Sequence, residues 1–355
     1  MNKMNLSSSR IKPRIAFVGN FQYNCGSSNT LLGYVQAGKN LGYDIRASEF
    51  GYVDDIIRDT VPIAKRDWQP DLLVVVYESY PFLSLADIEQ ICRHIPRSKR
   101  VIIDPDGKYS QPRSSSGDTN HPKLDSYKYW TNLYDSLSDV ILQPHLGISD
   151  NKKIQQFLYF GVNKNAQNLT RQSKDYDLLY VGNNWYRWQD ISRLVKQISP
   201  IRKHLKKIGL IGSYWSSDIM SGFEDATYSD PNFLKKNKIE VLGSAPYGQV
   251  EIAMSRGLLN PILIRPILNH MSFVTPRMFE TFLADTVPLI PQYFTHAIDL
   301  YGDNASQLIL SNPADDIMQI IENYDKYVIL RRNILEMLKE KHSYEIRINQ
   351  LFKFA

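Results

Sequence analysis

The chain has 355 residues, 43% of them hydrophobic and 22% charged, which is enough for two soluble globular domains and too apolar for a disordered chain. A net charge of +5 is compatible with contact to nucleic acid or anionic lipid, but it is spread without the cluster that marks either. Cys25 and Cys92 are too few for a disulfide framework or a structural zinc site, and no run of some 18 apolar residues could span a membrane, so a cytoplasmic protein is expected.

Met1 to Arg10 is Ser- and Asn-rich, lacks a signal-peptide core and reads as a frayed start. Arg14 to Gly19 is a short apolar run ending in Gly, followed by a polar loop, Asn20 to Asn29, and a helix patterned on Leu31, Leu32, Val35, Ala37 and Leu41. Further strands are expected at Gly42–Ser48, Asp71–Tyr77, Arg100–Asp104 and Asp139–Gln143. Helices are expected through Ile56, Ile57 and Val61, from Leu85 to Ile95, and from Tyr127 to Leu137. Continuously apolar strands alternating with helices predict a parallel sheet covered on both faces, a Rossmann-like α/β domain over 1–165. In such sheets ligands bind beyond the carboxyl ends of the strands. That places Gly19–Ser28, Glu78–Pro81 and Asp104–Tyr109 on one rim, with the Ser-, Gly- and Pro-rich stretch Ser110–His121 as a loop over it.

Gly161 to Asp175 has no apolar pattern and reads as a linker. A second unit over 176–338 follows, with strands at Tyr176–Val181, Lys207–Ile211, Ile239–Leu242 and Asn260–Ile264, three of them ending in Gly182, Gly212 and Gly243. Helices are expected at Ile191–Ile198 and Tyr247–Ser255. Residues 339–355 close the chain with a helix whose apolar positions recur at i, i+3 and i+4.

Two stretches carry chemistry. In Phe273 to Ile290, Thr275 and Pro276 are a good N-cap and first helical residue for a helix at Arg277, and Val287 to Ile290 reads as a buried strand. Arg277 and Glu280, three apart, leave one face near the positive helix end. A guanidinium and free N–H groups suit a diphosphate, and a carboxylate one turn on suits a ribose diol, so a nucleotide sugar fits both. An exposed Arg–Glu pair worth a few tenths of a kcal/mol has the same spacing. In Tyr180-Val-Gly-Asn-Asn-Trp-Tyr-Arg187, Gly182 ends a strand where backbone can approach a phosphate, and Asn183 and Arg187 follow it. Asp104-Pro-Asp106-Gly107 admits three readings: an Asp-x-Asp site for Mn²⁺ or Mg²⁺, a general base for an acceptor hydroxyl, or a turn closing a strand. His270 and Asn269 stand near enough to the Arg277 motif to meet a donor sugar, whereas His145, like a lone loop His generally, is expected to be solvated.

Pro276-Arg-Met-Phe-Glu-Thr-Phe-Leu-Ala-Asp-Thr-Val-Pro-Leu-Ile290 resembles the donor-site segment of GT-B glycosyltransferases, in particular the CgeB-like spore-maturation branch and the T-even phage DNA β-glucosyltransferases. The resemblance implies two Rossmann-like domains facing across a cleft, with the C-terminal helix crossing back to the first. It implies that Arg277 and Glu280 hold the diphosphate and ribose of a uridine diphosphate sugar, with Gly182, Asn183, Arg187, Gly243 and His270 around them. The phage enzymes carry two arginines in the Gly182 loop, where this chain has Arg187, with Arg193 as a second candidate. The loop that bears the catalytic Asp in the phage enzymes matches Asp106, with Asp104 as its substitute. Retaining enzymes of the commonest kind carry two glutamates eight positions apart; Ser272 stands eight before Glu280, which favours inversion, and with Arg and helix N-termini to neutralise the leaving group no metal or other cofactor is expected. Asp285, where CgeB-like proteins usually have Gly, leans toward DNA bearing a hydroxymethylated base as acceptor; small molecules, polysaccharide and protein stay open, as does a metal-dependent GT-A-type enzyme using Asp104 and Asp106. A periplasmic-receptor-type binding protein has a similar outline, but the expected lack of a signal peptide argues against it.

Overall fold

The computed structural model describes residues 12–22, 25–78, 82–110, 124–149, 151–167, 169, 174–216 and 219–354. The expected frayed start, nearly all of the Ser110–His121 loop, and parts of the Asn20–Asn29 loop, the Glu78–Pro81 rim and the Gly161–Asp175 linker lie outside these residues. Two parallel sheets organise the chain. The first contains β1 (Arg14–Phe21), β2 (Asp44–Ser48), β3 (Tyr52–Val53), β4 (Ile63–Ala64), β5 (Leu72–Val76), β6 (Arg100–Ile103), β7 (Ile141–Gln143) and β8 (Ile154–Gln156). Its order is β4-β2-β1-β5-β6-β7-β8, with β3 beside the end of β1. The second contains β9 (Tyr176–Val181), β10 (Ile208–Ile211), β11 (Ile239–Leu242), β12 (Gly257–Pro261), β13 (Val287–Pro291) and β14 (Ile309–Leu310), in the order β11-β10-β9-β12-β13-β14.

Both orders are doubly wound. The chain spreads one way from β1 or β9, then reverses at β5 or β12, and each reversal leaves a crevice at the strands' carboxyl ends. Alternation along β1 explains the two covered faces: Ile15 and Phe17 join one core, Ala16 and Val18 the other. The first of these cores runs on without a break into the second unit, through Leu178, Phe279 and Phe282.

Several expectations need correction. The helix through Val61 is a single turn, Asp55–Arg58, and the short strands β3, β4, β8 and β14 carry too few residues to show a period. The strand expected at Asn260–Ile264 begins earlier, at Gly257, which pairs with Tyr176. Gly257 has no side chain to enter an apolar pattern, and a Cβ there would lie 2.6 Å from that of Leu179. Ile262 to Ile264 stay buried beyond the end of β12. The helix expected from Tyr247 runs only over Val250–Met254. The residue that caps the helix Arg277–Leu283 is Pro276 rather than Thr275, whose carbonyl accepts from the Met278 N–H.

Helices Pro313–Glu322 and Tyr324–Lys341 precede the last one, Tyr344–Leu351, which crosses back onto the helix Gly26–Leu41 of the first unit. Gly33 makes the crossing possible, since a Cβ there would sit 2.3 Å from the Tyr344 ring. The Val162 N–H donates to the His342 carbonyl (3.1 Å) and the Tyr344 N–H to that of Val162 (2.9 Å), joining the returning segment to the linker. Arg331, fully buried on Tyr324–Lys341, donates through Nη1 to the carbonyls of Phe282 (3.0 Å) and Ala284 (2.6 Å). It thereby satisfies the end of the helix Arg277–Leu283. Arg331→Met leaves two buried carbonyls without their donor and is expected to lower stability by about 1–3 kcal/mol in urea denaturation; an unchanged midpoint would remove Arg331 as the support of that helix.

Candidate active site

The carboxyl ends of the two sheets face each other across a cavity of about 720 Å³, well within the range of small-molecule sites. From the second unit, Gly182 ends β9, Gly212 ends β10, and Arg265 follows β12. From the first, Glu78 ends β5, and Asp106 and Lys108 follow β6.

The Gly182 loop is fixed from below. The Gly182 carbonyl accepts from Trp215 Nε1 at 2.7 Å, Asn183 Oδ1 accepts from the Ser213 N–H at 2.9 Å, and Asn184 Nδ2 donates to the carbonyls of Tyr214 and Tyr228. Gly182 has φ +154° and a Cβ on it would lie 2.9 Å from Arg277 Nη2, so only glycine lets this guanidinium lie over the strand end. Gly212, at φ +138°, is equally confined: a Cβ would meet the Gly182 carbonyl oxygen at 2.4 Å.

Three guanidiniums border this half: Arg187, Arg265 and Arg277. Arg187 is spent on carbonyls, donating Nη1 to those of Asn183 (3.2 Å) and Trp185 (3.1 Å). Burial first, with the repulsion of Arg277 and Arg265, pulls its pKa down against the opposing influence of Tyr180. Arg277 stands over the Tyr180 ring with Nη1 3.4 Å from Glu280 Oε2, and this buried nitrogen has no hydrogen-bond partner among the described residues. Arg265 Nη1 reaches across the cleft to Asp106 Oδ1 at 3.4 Å, and Lys108 Nζ holds Asp106 Oδ2 at 3.0 Å. The second unit's wall thus gathers three guanidiniums at the cleft.

Glu280 is 8% exposed, and burial raises its pKa, Arg277 opposing. Glu251 behind it is pushed up to about 7, by burial and then by the Glu280 charge. The two carboxyls compete for one field, so the pair enters neutral pH with less than two full charges.

The anticipated residues are divided by this geometry. Asp106, Gly182, Asn183, Arg187, Arg277 and Glu280 border the cavity. Asp104 does not: fully buried, it accepts from the N–H groups of Lys108 (2.9 Å) and Tyr109 (2.8 Å), from Tyr134 Oη and from Gln143 Nε2. Gly243 lies exposed one residue before Ser244, which borders the cavity, and His270 ends the helix Pro266–His270 exposed to solvent. Arg193 pairs with Asp190 at 3.1 Å and lines a different, smaller hollow. His145, expected in solvent, is 7% exposed and bonded through Nδ1 to the Gly147 carbonyl at 2.6 Å. Asp285 is buried in an ion pair with Lys174 at 2.6 Å, a structural role that removes it as a pointer to DNA. Glu78, Lys108, Arg265 and Tyr247 border the cavity without having been singled out as donor or catalytic residues; each is brought there by the topology rather than by a local pattern. The Tyr247 hydroxyl donates across the cleft to the Ser28 carbonyl at 3.1 Å. Among the described residues no group of three or more His, Cys, Asp or Glu is arranged to hold a metal ion, and no helix is long and apolar enough to cross a membrane.

Two parallel α/β domains arranged in this way match solved glycosyltransferases over nearly their whole length. The T4 phage BGT in complex with UDP and Mn²⁺ matches with a TM-score of 0.56 over 95% of this chain and 99% of its own, at 15% identity. The fold is GT-B. An alpha-glucosyltransferase in complex with UDP and a 13-mer DNA containing a central A:G mismatch matches with a TM-score of 0.63 over 96% of this chain and 98% of its own, at 10% identity. Anabaena HepE in complex with UDP-glucose matches with a TM-score of 0.60, with the same coverage and identity. No family model and no curated protein sequence matches the chain.

An acid whose pKa is raised on folding is penalised when ionised. Wild type should therefore lose stability as pH rises from the ordinary glutamate value of 4.5 to about 7, and hold a constant deficit above that. Glu251→Gln removes the penalty and is expected to melt higher than wild type at about pH 8 but not at about pH 4. The same difference in Tm at both pH values would show that the Glu251 carboxyl ionises freely.

Proposed function

We propose that the chain is a glycosyltransferase that moves a sugar from a uridine diphosphate sugar to a hydroxyl acceptor with inversion. The observation that carries this reading is the convergence of Arg187, Arg265 and Arg277 on one wall of the cleft, with Glu280 one turn beyond Arg277 and Asp106 on the opposite wall. Neighbours of the same fold hold UDP or UDP-glucose, which supports the nucleotide class.

In this reading the donor lies along the ends of β9, β10 and β12, its diphosphate against the guanidiniums and its ribose diol on Glu280. Asp106 takes the proton of the acceptor hydroxyl as that oxygen bonds to the anomeric carbon from the face opposite the diphosphate. The bond from the anomeric carbon to the diphosphate oxygen breaks, and the departing charge is stabilised by Arg265 and Arg277, with Arg187 adding its charge from behind. Arg265 serves both sides, because a diphosphate competes with Asp106 for it. Donor binding thus loosens an ion pair on the base and leaves that with Lys108 in place. A GT-A-type metal role for Asp104 would require withdrawing it from four donors.

A DNA acceptor is the second reading, favoured by a neighbour of this fold in complex with UDP and a 13-mer DNA containing a HMU base. The CgeB-like affinity rests on the Pro276–Ile290 segment, division at 165 and 176 on the linker's composition, and a cytoplasmic setting on the free thiols of Cys25 and Cys92.

Arg277→Ala is expected to weaken uridine diphosphate binding by roughly 2–5 kcal/mol, about 30-fold or more, with the fold intact. Unchanged affinity by titration calorimetry would defeat the diphosphate role. Asp106→Asn is expected to keep nucleotide binding and lose roughly 10²–10⁴-fold in transfer, with EDTA and with Mn²⁺ alike. If instead wild-type binding disappears in EDTA and the variant binds weakly under every condition, Asp106 is a metal ligand rather than a base.

A further inference from the structure

On the reading just given, Asp106 meets one hydroxyl of the acceptor. We propose that Glu78 meets a second, and that the acceptor is therefore a polyol, a sugar unit presenting at least two hydroxyls to the first-unit wall of the cleft.

Glu78 follows β5 at the point where the first sheet reverses direction next to β1, the crevice in which doubly wound sheets take their ligands. Its carboxylate is aimed and held. Oε2 accepts from the Ser27 N–H at 2.8 Å and from Cys25 Sγ at 3.0 Å, and the residue borders the cavity. No cation pairs with Glu78 among the described residues, and its nearest charged influence is another acid, Asp106. Burial first and the Asp106 charge second push its pKa up, with the bonds from Ser27 and Cys25 opposing. The fold does not ask for this arrangement, since a glutamine would accept from Ser27 equally well without placing two acids together. A carboxyl whose one oxygen already accepts from Ser27 and Cys25 keeps its acceptor capacity for a hydroxyl donor.

The donor lies opposite. A Cβ on Gly26 would touch Pro276 at 2.7 Å and Glu78 Oε1 at 3.3 Å, so Glu78 faces the start of the Arg277 helix across a single glycine. The remaining walls of this half include Trp130, a ring with Lys108 Nζ 5.1 Å from its centroid, and the amides of Gln22 and Asn29. Two carboxylates, two amides and a ring suit a neutral ligand with hydroxyls on successive carbons. A hydroxymethylated base offers one such hydroxyl and arrives on phosphates, which the two carboxylates repel.

The test uses wild type, Glu78→Gln and Glu78→Ala, each first checked for Tm and for uridine diphosphate affinity. Transfer is then measured to a panel of methyl glycosides, to their monodeoxy analogues, and to duplex DNA carrying hydroxymethylated bases. Wild type is expected to accept at least one glycoside and to reject one of its monodeoxy analogues by roughly 10²-fold or more in kcat/KM, since a buried polar group left unpaired discriminates strongly. Both variants should lose most of that preference, chiefly through a raised acceptor KM. Preference retained in both variants overturns the proposal, and so does transfer to the DNA with every glycoside ignored. Wild type that binds no uridine diphosphate brings down the donor reading, and this inference with it; normal binding with a variant that discriminates like wild type brings down this inference alone.

Discussion

Three guanidinium groups line one wall of one cleft, and much of the structure is shaped by the need to hold like charges there. Each is compensated differently: Arg187 by main-chain carbonyls, Arg277 by Glu280, and Arg265 by an acid from the opposite unit. The compensation is incomplete, and a buried nitrogen of Arg277 without a hydrogen-bond partner among the described residues is the plainest sign of it. Gly182 gives the Arg277 guanidinium its room, and Gly212 gives room to the Gly182 loop itself, whose backbone a side chain at 212 would meet.

The two walls are held with different stiffness. The second unit's wall is braced from behind by Trp215, Asn184 and Arg331, groups that reach carbonyls of that unit and leave its strand ends and its Arg277 helix little freedom. The facing wall depends on short side-chain contacts around Asp104, whose four donors fix the strand exit from which Asp106 emerges two residues later. The buried acid thus sets the backbone, and the partly exposed acid meets the cleft.

Much of the architecture was legible because continuous apolar runs ending in glycine alternate with helical periods, and that alternation has few solutions other than a covered parallel sheet. The Arg277 helix was legible because its chemistry is local, confined to one turn. Asp104 and Asp106 were not separable by pattern: both follow one strand, and only the hydrogen bonds of Tyr134 and Gln143, from later in the chain, show which is consumed by the fold. Glu78, Lys108, Arg265 and Arg331 left no local signal, since each acts on a residue brought near by topology, Arg331 on carbonyls 47 and 49 residues away. The early start of β12 was hidden for the opposite reason, because Gly257 contributes an intimate contact and no side chain.

The seam of Gly33, Tyr344 and Val162 lies where the chain's last helix returns to its first unit. It makes the two halves share a hinge pin: the covalent linker passes between them once, and the returning segment clasps that linker by two main-chain bonds. Sliding of one sheet past the other would have to shear the Tyr344 ring out of its glycine notch. A swing about this pin would instead part the contacts across the mouth, Tyr247 to Ser28 and Arg265 to Asp106, together.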